Sequence, residues 1–262
     1  MGTSMIPSLQ SVAVPTAYQW LIKESKKTGT SRQYSYLEAP SGASISNSIV
    51  REIDYKTAST IILEYEWIGT MPLPKSCRYI YGIYFDDVLG GAIVYVEPST
   101  RQYYKTYPRQ VVQLNRGATE HWTPKNTASR LIGQSKKFLK EEGVKAIIAY
   151  CTQEAGEIGT IYQACNFDYI GITSPSKTYY LDNHWVSERT LADKIAWARN
   201  KSEAWQDKFR NLPMRMLTGK YKYILFIGSN REREEFYNEY GIISHPYPKR
   251  EASDEQPILR TT

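Results

Sequence analysis

The chain has 262 residues, of which 41% are hydrophobic and 23% charged, a balance typical of a globular protein that buries a substantial core. Its formal net charge of +6 favours polyanionic partners such as nucleic acid, although a merely soluble basic protein fits that charge equally well. A disulfide scaffold is not expected, because the three cysteines have no CxxC spacing. A secreted protein is not expected, because the N-terminus has no signal pattern, and a membrane-spanning protein is not expected, because no run approaches about 18 apolar residues.

The first part of the chain is predicted to be an N-terminal arm and flexible linker over residues 1–50, since residues 27–49 are rich in Ser, Gly and Thr. The first predicted helix lies in "DYKTASTIILEYEWIG". Asp54 is placed to cap this helix, which is expected to end near Gly69. Its apolar face follows the i, i+3, i+4, i+7 spacing of an amphipathic helix and consists of Ala58, Ile61, Ile62 and Tyr65.

Three strands and the clearest helix of the chain are predicted next. The segment "CRYIYGIYFDDVLGGAIVYVEPS" contains two β-rich runs joined by Asp86 and Asp87, the pattern of a hairpin. The segment "RQVVQLNRGA" is a third strand. The segment "PKNTASRLIGQSKKFLKEEG" is an amphipathic helix that Asn126 or Thr127 caps and Gly143 ends.

A buried strand, "VKAIIAY", follows, and then a short helix in "GEIGTIYQACNF" and a strand in "FDYIGIT". Residues 188–210 are predicted to form a long basic helical segment, followed by the strand "KYKYILFIG" and the short charged helix "REREEFYNEYG". We assign residues 51–245 to one catalytic domain. Residues 246–262 are polar and contain proline, and they are predicted to be a disordered tail.

One candidate anion site lies where the third strand leads into the amphipathic helix. A helix N-terminus exposes unpaired backbone N–H groups and the positive end of the helix dipole, and small residues at positions 127–129 would let a pyrophosphate approach them. Lys125 and Arg130 add positive charge, and Arg116 ends the preceding strand. The segment is neither a Walker loop nor a GxGxxG motif, so an ordinary capped helix with a solvated Arg116 fits the same spacing.

Tyr162 is the candidate proton donor, because it lies on the short helix after the buried strand. A tyrosine hydroxyl, with a pKa of about 10, can donate a proton to a leaving thiolate. The alternative is a tyrosine that fills the core beside Ile158 and Ile161.

Two segments carry a resemblance to a known family. "LNRGATEHWTPKNTASRLI" and "VKAIIAYCTQEAGEIGTIYQACNFDYIG" resemble the Mom family of bacteriophage DNA-modification proteins, which have the GNAT acyltransferase fold. "GTIYQACNF" followed by "YIG" is the most specific part, and "NTAS" preceded by "LNR" is the second. The resemblance covers roughly residues 54–173. It implies an α+β, GNAT-like fold with a mixed central sheet flanked by helices, to which the N-terminal arm and the C-terminal helical and strand elements are additions.

The resemblance implies an enzyme that uses acetyl-CoA to modify the exocyclic N6 amine of adenine in DNA. The adduct is of the acetamido or methylcarbamoyl type, and it hides phage DNA from host restriction enzymes in the host cytoplasm. Arg116, Ser129 and Tyr162 match the functional trio of the family. The residues that the resemblance assigns to acetyl-CoA are Arg116, Asn126, Thr127, Ala128, Ser129 and Arg130.

The chain departs from the family pattern where iron ligands are expected. Glu64 and Glu66 stand where the family often has histidines, and Thr152 and Glu157 stand in place of an aspartate and a histidine. These changes put iron in doubt, and no metal site is predicted. Glu66 is instead a candidate general base for the attacking amine, and the alternative is an exposed carboxylate at a helix end.

DNA contact is assigned to the basic, tryptophan-bearing segment 189–210, because basic side chains bind phosphates and aromatic rings stack on bases. A solvated helix face is the alternative. The predicted contact residues are Arg189, Lys194, Arg199 and Lys201. Two other functions stay open at this point: acylation of another nucleic-acid amine, such as a hypermodified pyrimidine or a tRNA base, and a non-catalytic GNAT scaffold that only binds DNA.

Overall fold

The computed structural model describes Gln19 and residues 43–98, 109–182, 184–198, 209 and 211–249. Three predicted parts of the chain lie mostly or wholly outside the described residues: the N-terminal arm, the second half of the basic segment, and the tail from residue 250. The chain divides into two compact units. The first contains residues 1–97, 114–141 and 258–262, and the second contains residues 98–113 and 142–257. The predicted domain boundaries stay a prediction.

Helix α1 (Tyr55–Tyr65) of the first unit begins where the sequence predicted. The Asp54 carboxylate accepts hydrogen bonds from the Thr57 backbone N–H at 2.8 Å and the Thr57 hydroxyl at 2.7 Å, which satisfies the open helix end. The predicted apolar residues Ala58, Ile61 and Ile62 are buried. The helix ends at Tyr65, and a non-helical loop begins at Glu66.

Strands β1 (Ile49–Glu52), β2 (Cys77–Phe85), β3 (Val88–Val96) and β4 (Val111–Thr119) follow one another in that order in the sheet. The predicted hairpin is confirmed as the antiparallel pair β2 and β3. Asp86 and Asp87 have positive φ angles of 46° and 65°, the conformation that a two-residue hairpin turn needs. Strand β1, antiparallel to β2, was not predicted. Strand β4 begins in the second unit and ends in the first.

Helix α2 (Thr127–Glu141) confirms the predicted amphipathic helix of the first unit. Leu131, Ile132, Ser135 and Leu139 are buried along one side. The buried Ser135 hydroxyl is 2.7 Å from the Tyr95 hydroxyl of strand β3, so this polar group has a partner.

The second unit contains strands β5 (Ala146–Cys151), β6 (Asp168–Ile172) and β10 (Tyr221–Phe226), with β10 antiparallel to both and lying between them. The short helix α3 (Thr160–Ala164) precedes β6. Helix α5 (Asn230–Tyr240) buries Phe236 against Ile148 and Ile224 of the sheet. These strands and helices confirm the elements predicted for this part of the chain.

A separate three-stranded sheet in the second unit was not predicted. Strands β7 (Ser176–Leu181), β8 (His184–Ser187) and β9 (Met214–Leu217) have the order β8-β7-β9, and both pairings are antiparallel. Helix α4 (Glu188–Ala198) forms the described part of the predicted basic segment.

The predicted fold class, a mixed α/β fold with helices flanking a β-sheet and with additional C-terminal elements, is confirmed. Among the described residues, none of the helices combines the length and the apolarity that a bilayer crossing requires.

Candidate active site

The N-terminus of helix α2 is shaped by a left-handed residue and two short side-chain hydrogen bonds. Asn126 has a φ of 72° and precedes the helix, which begins at Thr127. The Thr127 hydroxyl donates to the Pro124 carbonyl at 2.6 Å, and the Ser129 hydroxyl donates to the Asn126 carbonyl at 2.9 Å. Thr127 is buried, so its side chain faces the protein rather than solvent.

A cleft of about 360 Å³ opens beside this helix end. The residues that line it are Ile45, Asn126, Ser129, Arg130, Gly133 and Gln134. Within the described part of the chain, the buried Arg130 Nε atom has no hydrogen-bond partner. A buried guanidinium N–H without an acceptor is costly. The Arg130 side chain also lines the cleft beside the positive end of the helix, and its charge attracts anions there. The cleft therefore has the chemistry of an anion site, and it brings together three of the predicted acetyl-CoA residues.

Glu66 is buried, with 4% of the residue exposed, at the C-terminus of helix α1. Its Oε2 atom accepts hydrogen bonds from the backbone N–H groups of Ile68 at 3.1 Å and Gly69 at 3.0 Å. Its Oε1 atom is 3.9 Å from Arg116 Nε. The alternative of an exposed helix-end carboxylate is wrong, because the loop folds back over this side chain.

Arg116 lies three residues before the end of strand β4 and contacts the same loop. Its Nε atom donates to the Thr70 carbonyl at 2.7 Å and its Nη2 atom donates to the Thr70 hydroxyl at 3.1 Å. Its Nη1 atom donates to the Asn115 carbonyl at 2.7 Å. The alternative of a solvated Arg116 is wrong. The structure brings Arg116 and Glu66 together, and the guanidinium holds the loop over residues 66–70.

A second polar cluster beside this loop was missed by the sequence analysis. Glu120 Oε2 accepts hydrogen bonds from the Tyr65 hydroxyl at 3.3 Å and from Trp122 Nε1 at 2.5 Å. Burial, reinforced by the Glu120 charge, raises the pKa of Tyr65 to about 12. His121 is buried and stacks on Tyr65, and burial lowers its pKa against the opposing effect of Glu120. The "TEHW" run was the available signal, but its residues do not show which side chains become buried.

Tyr162 lies on helix α3 in the second unit. Its ring packs against the rings of Phe167 and Tyr223, with centroid distances of 5.4 Å to each. The Gln163 amide beside it donates to the Ile158 carbonyl at 2.9 Å and to the Tyr223 hydroxyl at 3.2 Å. This packing fixes the backbone and the ring of Tyr162. The ring contacts fit the alternative of a tyrosine that packs into the core, and the role of Tyr162 as a proton donor stays a prediction.

The residues at the positions of the expected iron ligands do not fit an iron site. In the described part of the chain, no three His, Cys, Asp or Glu side chains lie close enough to hold a metal ion. Glu66 accepts two backbone hydrogen bonds, and Glu157 accepts one from the Thr152 N–H at 3.2 Å. The carboxylates are therefore engaged by the protein itself.

The predicted DNA contacts are described only in part. Arg189 is exposed on helix α4, and the Lys194 ammonium is 3.6 Å from the Asp182 carboxylate. Arg199 and Lys201 lie outside the described residues. The DNA-binding role of this segment stays a prediction.

Comparison with known proteins gives one family match. A family model described as the Mom protein family matches residues 47–249. The protein named Methylcarbamoylase mom, from Escherichia phage Mu, is 30% identical over 154 residues, which is 55% of this chain and 59% of that protein. The chain thus aligns with less than two thirds of that relative.

Solved structures that match part of this chain are acetyltransferases, at low sequence identity and low TM-score. The Bacillus subtilis acetyltransferase in complex with CoA is 14% identical, with 69% of this chain and 98% of that chain covered and a TM-score of 0.41. The putative acetyltransferase yncA from Salmonella typhimurium, with its cofactor acetyl-CoA, is 9% identical, with 70% and 96% covered and a TM-score of 0.43.

Proposed function

The chain belongs to the Mom protein family, and we propose that it is a DNA-modification enzyme. It transfers an acyl-derived group from acetyl-CoA to the exocyclic N6 amine of adenine. The name Methylcarbamoylase mom of the phage Mu relative supports an acyl-derived adduct. A group on N6 changes the donor pattern of adenine in the major groove, where a host restriction enzyme reads the base. The proposed substrate of this chain is phage DNA in the host cytoplasm.

The observation that carries this proposal is the cleft at the N-terminus of helix α2. Asn126, Ser129 and Arg130 line it, and the Arg130 Nε atom has no acceptor among the described residues. The positive end of the helix dipole and the guanidinium both favour a diphosphate such as that of a CoA thioester. We therefore assign the cleft to the diphosphate, with the small residues Thr127 and Ala128 allowing close approach to the backbone.

A bound thioester supplies an activated carbonyl carbon. Glu66 takes the proton of the attacking amine, and two backbone N–H groups and the Arg116 guanidinium stabilise its negative charge. The match of its segment to the family motif gives Tyr162 of the second unit the proposed role of proton donor, which would supply a proton to a thiolate leaving group. Arg116 also holds the loop that carries Glu66, and Ser129 contributes to the diphosphate cleft.

The test is mass spectrometry of nucleosides from plasmid DNA that is co-expressed with the protein. We expect a deoxyadenosine of increased mass with the wild-type chain and its loss with Y162F. Transfer of an unaltered acetyl group adds C2H2O to the nucleoside, whereas an acetamido and a methylcarbamoyl adduct each add C2H3NO and need a nitrogen source besides acetyl-CoA. The mass therefore separates acetylation from these two adducts, and fragmentation separates the two isomers. A modified pyrimidine in place of deoxyadenosine would contradict the proposed target, and unchanged DNA with a well-folded chain would contradict the activity.

Binding of acetyl-CoA separates an enzyme from an idle scaffold. Isothermal titration should detect binding by the wild type and by Y162F, and R130A should bind about tenfold more weakly because it loses a charge-assisted hydrogen bond. S129A, which changes a cleft residue, should also weaken binding. K137A removes one charge from an exposed position of the same helix and should bind like the wild type. A wild-type chain that binds no acetyl-CoA would favour the scaffold.

A further inference from the structure

The sheet formed by β7, β8 and β9 presents an aromatic and basic face. In an antiparallel pair, residues directly opposite each other point to the same side of the sheet. Tyr180 lies opposite Trp185, and Thr178 lies opposite both Ser187 and Arg215. Thr178 and Tyr180 are two residues apart and therefore share a side. We name Thr178, Tyr180, Trp185 and Arg215 the aromatic–basic face.

The opposite side of the same sheet is covered in part. Leu181 and Val186 pack there with Leu191 of helix α4, and Tyr179 contacts this cluster. Met214 and Met216, opposite Tyr179 and Lys177, lie on that same side and are 50% and 55% exposed. The aromatic–basic face exposes its two rings and Arg215, while its Thr178 is buried. Tyr180 is 39% exposed and Trp185 is 38% exposed.

The side chains of the aromatic–basic face hold one another in place. The Arg215 guanidinium lies 4.3 Å from the centre of the Trp185 ring, and Arg215 Nε donates to the Thr178 hydroxyl at 3.4 Å. The Tyr180 ring meets the Trp185 ring edge to face at 5.3 Å. Rings that are fixed before a ligand arrives lose little conformational entropy when it binds.

The charge of this sheet is positive. Strands β7, β8 and β9 carry no carboxylate. Arg215 lies on the aromatic–basic face, Lys177 lies on the other side, and Glu188 follows directly after β8. Asp182, which directly follows β7, is paired with Lys194. A ligand with flat rings and negative charge complements exposed aromatic rings beside a guanidinium.

We propose that the aromatic–basic face binds an unpaired stretch of DNA. A base stacks on the exposed ring surface of Tyr180 or Trp185, and Arg215 contacts a neighbouring phosphate. The DNA must be unpaired there, because the ring faces of a base inside a duplex are already stacked on its neighbours. The inference rests on the proposed function, since DNA is the substrate, and it adds a strand-binding surface separate from the predicted contacts of residues 189–210.

The experiment measures binding of the full chain to a fluorescein-labelled single-stranded oligonucleotide and to its duplex, by fluorescence anisotropy at low salt. We expect W185A and Y180A to bind the single strand about tenfold more weakly than the wild type, with a smaller loss for the duplex. W185F keeps a ring and should stay within about twofold. R215A should weaken binding and make it less dependent on salt.

R231A is the matched charge control, because Arg231 is 88% exposed on helix α5 of the same unit, and this variant should bind like the wild type. The proposal is overturned if W185A and Y180A bind the single strand as the wild type does, or if both lose single strand and duplex equally. It is also overturned if W185A changes the oligomeric state in sedimentation instead of DNA binding, because a second copy would then cover this face.

Failure of the proposed function gives a different result. Nucleosides without an adduct would contradict the enzyme, while a Trp185-dependent preference for single strands would still support the surface. An adduct at the wild-type level in W185A and Y180A, with unchanged DNA binding, would keep the enzyme and remove the surface. Melting temperatures equal to that of the wild type verify that each variant is folded.

Discussion

At the scale of single residues, the candidate site of the first unit depends on charges that are buried together. Glu66 and Arg116 hold each other and hold the loop between residues 66 and 70. A buried carboxylate with two backbone donors and a neighbouring guanidinium is stable only while all partners are present, because an unpaired buried charge is costly.

The E66Q variant tests this arrangement. Replacing the carboxylate with an amide removes the ion pair with Arg116 and leaves a buried guanidinium without its counter-charge. We expect the free energy of unfolding to fall by about 2 kcal/mol, measured by urea denaturation. E64Q, an exposed change on the same helix, should stay within about 0.5 kcal/mol of the wild type. Equal stability of E66Q and E64Q would contradict the described role of Glu66.

The buried His121 predicts a loss of stability in mild acid. Burial lowers its pKa below the ordinary value of 6.5, so the unfolded chain binds a proton more readily than the folded chain. The neutral His121 contributes its full share to the free energy of unfolding above pH 6.5. This free energy should fall as the pH decreases below that value. Urea denaturation at a series of pH values below 6.5 gives the free energy of unfolding as a function of pH. This free energy should change less steeply with pH in H121F, whose ring can still stack on Tyr65.

H245F is the control for this measurement, because it changes a histidine of the second unit and leaves His121 in place. The free energy of unfolding of H245F should depend on pH as that of the wild type does. If the free energy of unfolding depends on pH equally in H121F and the wild type, groups other than His121 cause the acid sensitivity.

At the scale of elements, the short helix α3 depends on the glycine before it. Gly159 has a φ of 76°, and a Cβ atom at this position would clash with the Tyr223 ring. The same ring contacts Tyr162, and its hydroxyl donates to the Ile158 carbonyl. Gly159 therefore allows the helix that carries Tyr162 to approach strand β10 closely.

Substitution of this glycine should be strongly destabilising. We expect G159A to lower the free energy of unfolding by about 2–4 kcal/mol, because alanine disfavours the left-handed backbone and its methyl group clashes with Tyr223. G133A is the matched change inside helix α2, where a Cβ atom meets nothing within 4 Å, and it should stabilise by about 0.5–1 kcal/mol. Thermal and urea denaturation of both variants would measure the contrast, and a neutral G159A would contradict it.

The elements differ in how far the sequence predicted them. Helix α1 with its Asp54 cap, the β2–β3 hairpin with its two aspartates and helix α2 were all predicted, because caps and two-residue turns act within a few residues. Strands β7, β8 and β9 were not predicted. Each is at most six residues long. The β7–β8 pair is a local hairpin, with Leu181 opposite His184, that the sequence analysis missed, whereas β9 pairs with β7 from a distant part of the chain.

At the scale of the whole molecule, the net charge of +6 matters most for the proposed DNA substrate. Basic side chains that contact phosphates release bound counterions, so affinity for DNA falls as salt rises. We expect duplex affinity to fall by about tenfold or more between about 50 and about 200 mM salt, measured by anisotropy. R189A should reduce this dependence, whereas R231A should not. Binding that is insensitive to salt would contradict a phosphate-dominated contact.

By itself, the sequence determined the helices and turns whose signals are local, and it placed Tyr162, Ser129 and Arg130 on motifs that indicated the family. The tertiary structure decided the environment of those residues: the burial of Glu66, the contact of Arg116 with Thr70, and the position of β10 between β5 and β6. It also decided which side of the β7–β9 sheet is exposed. The physical reason is distance along the chain, because burial and strand pairing depend on residues that are far apart in sequence and meet only when the chain folds.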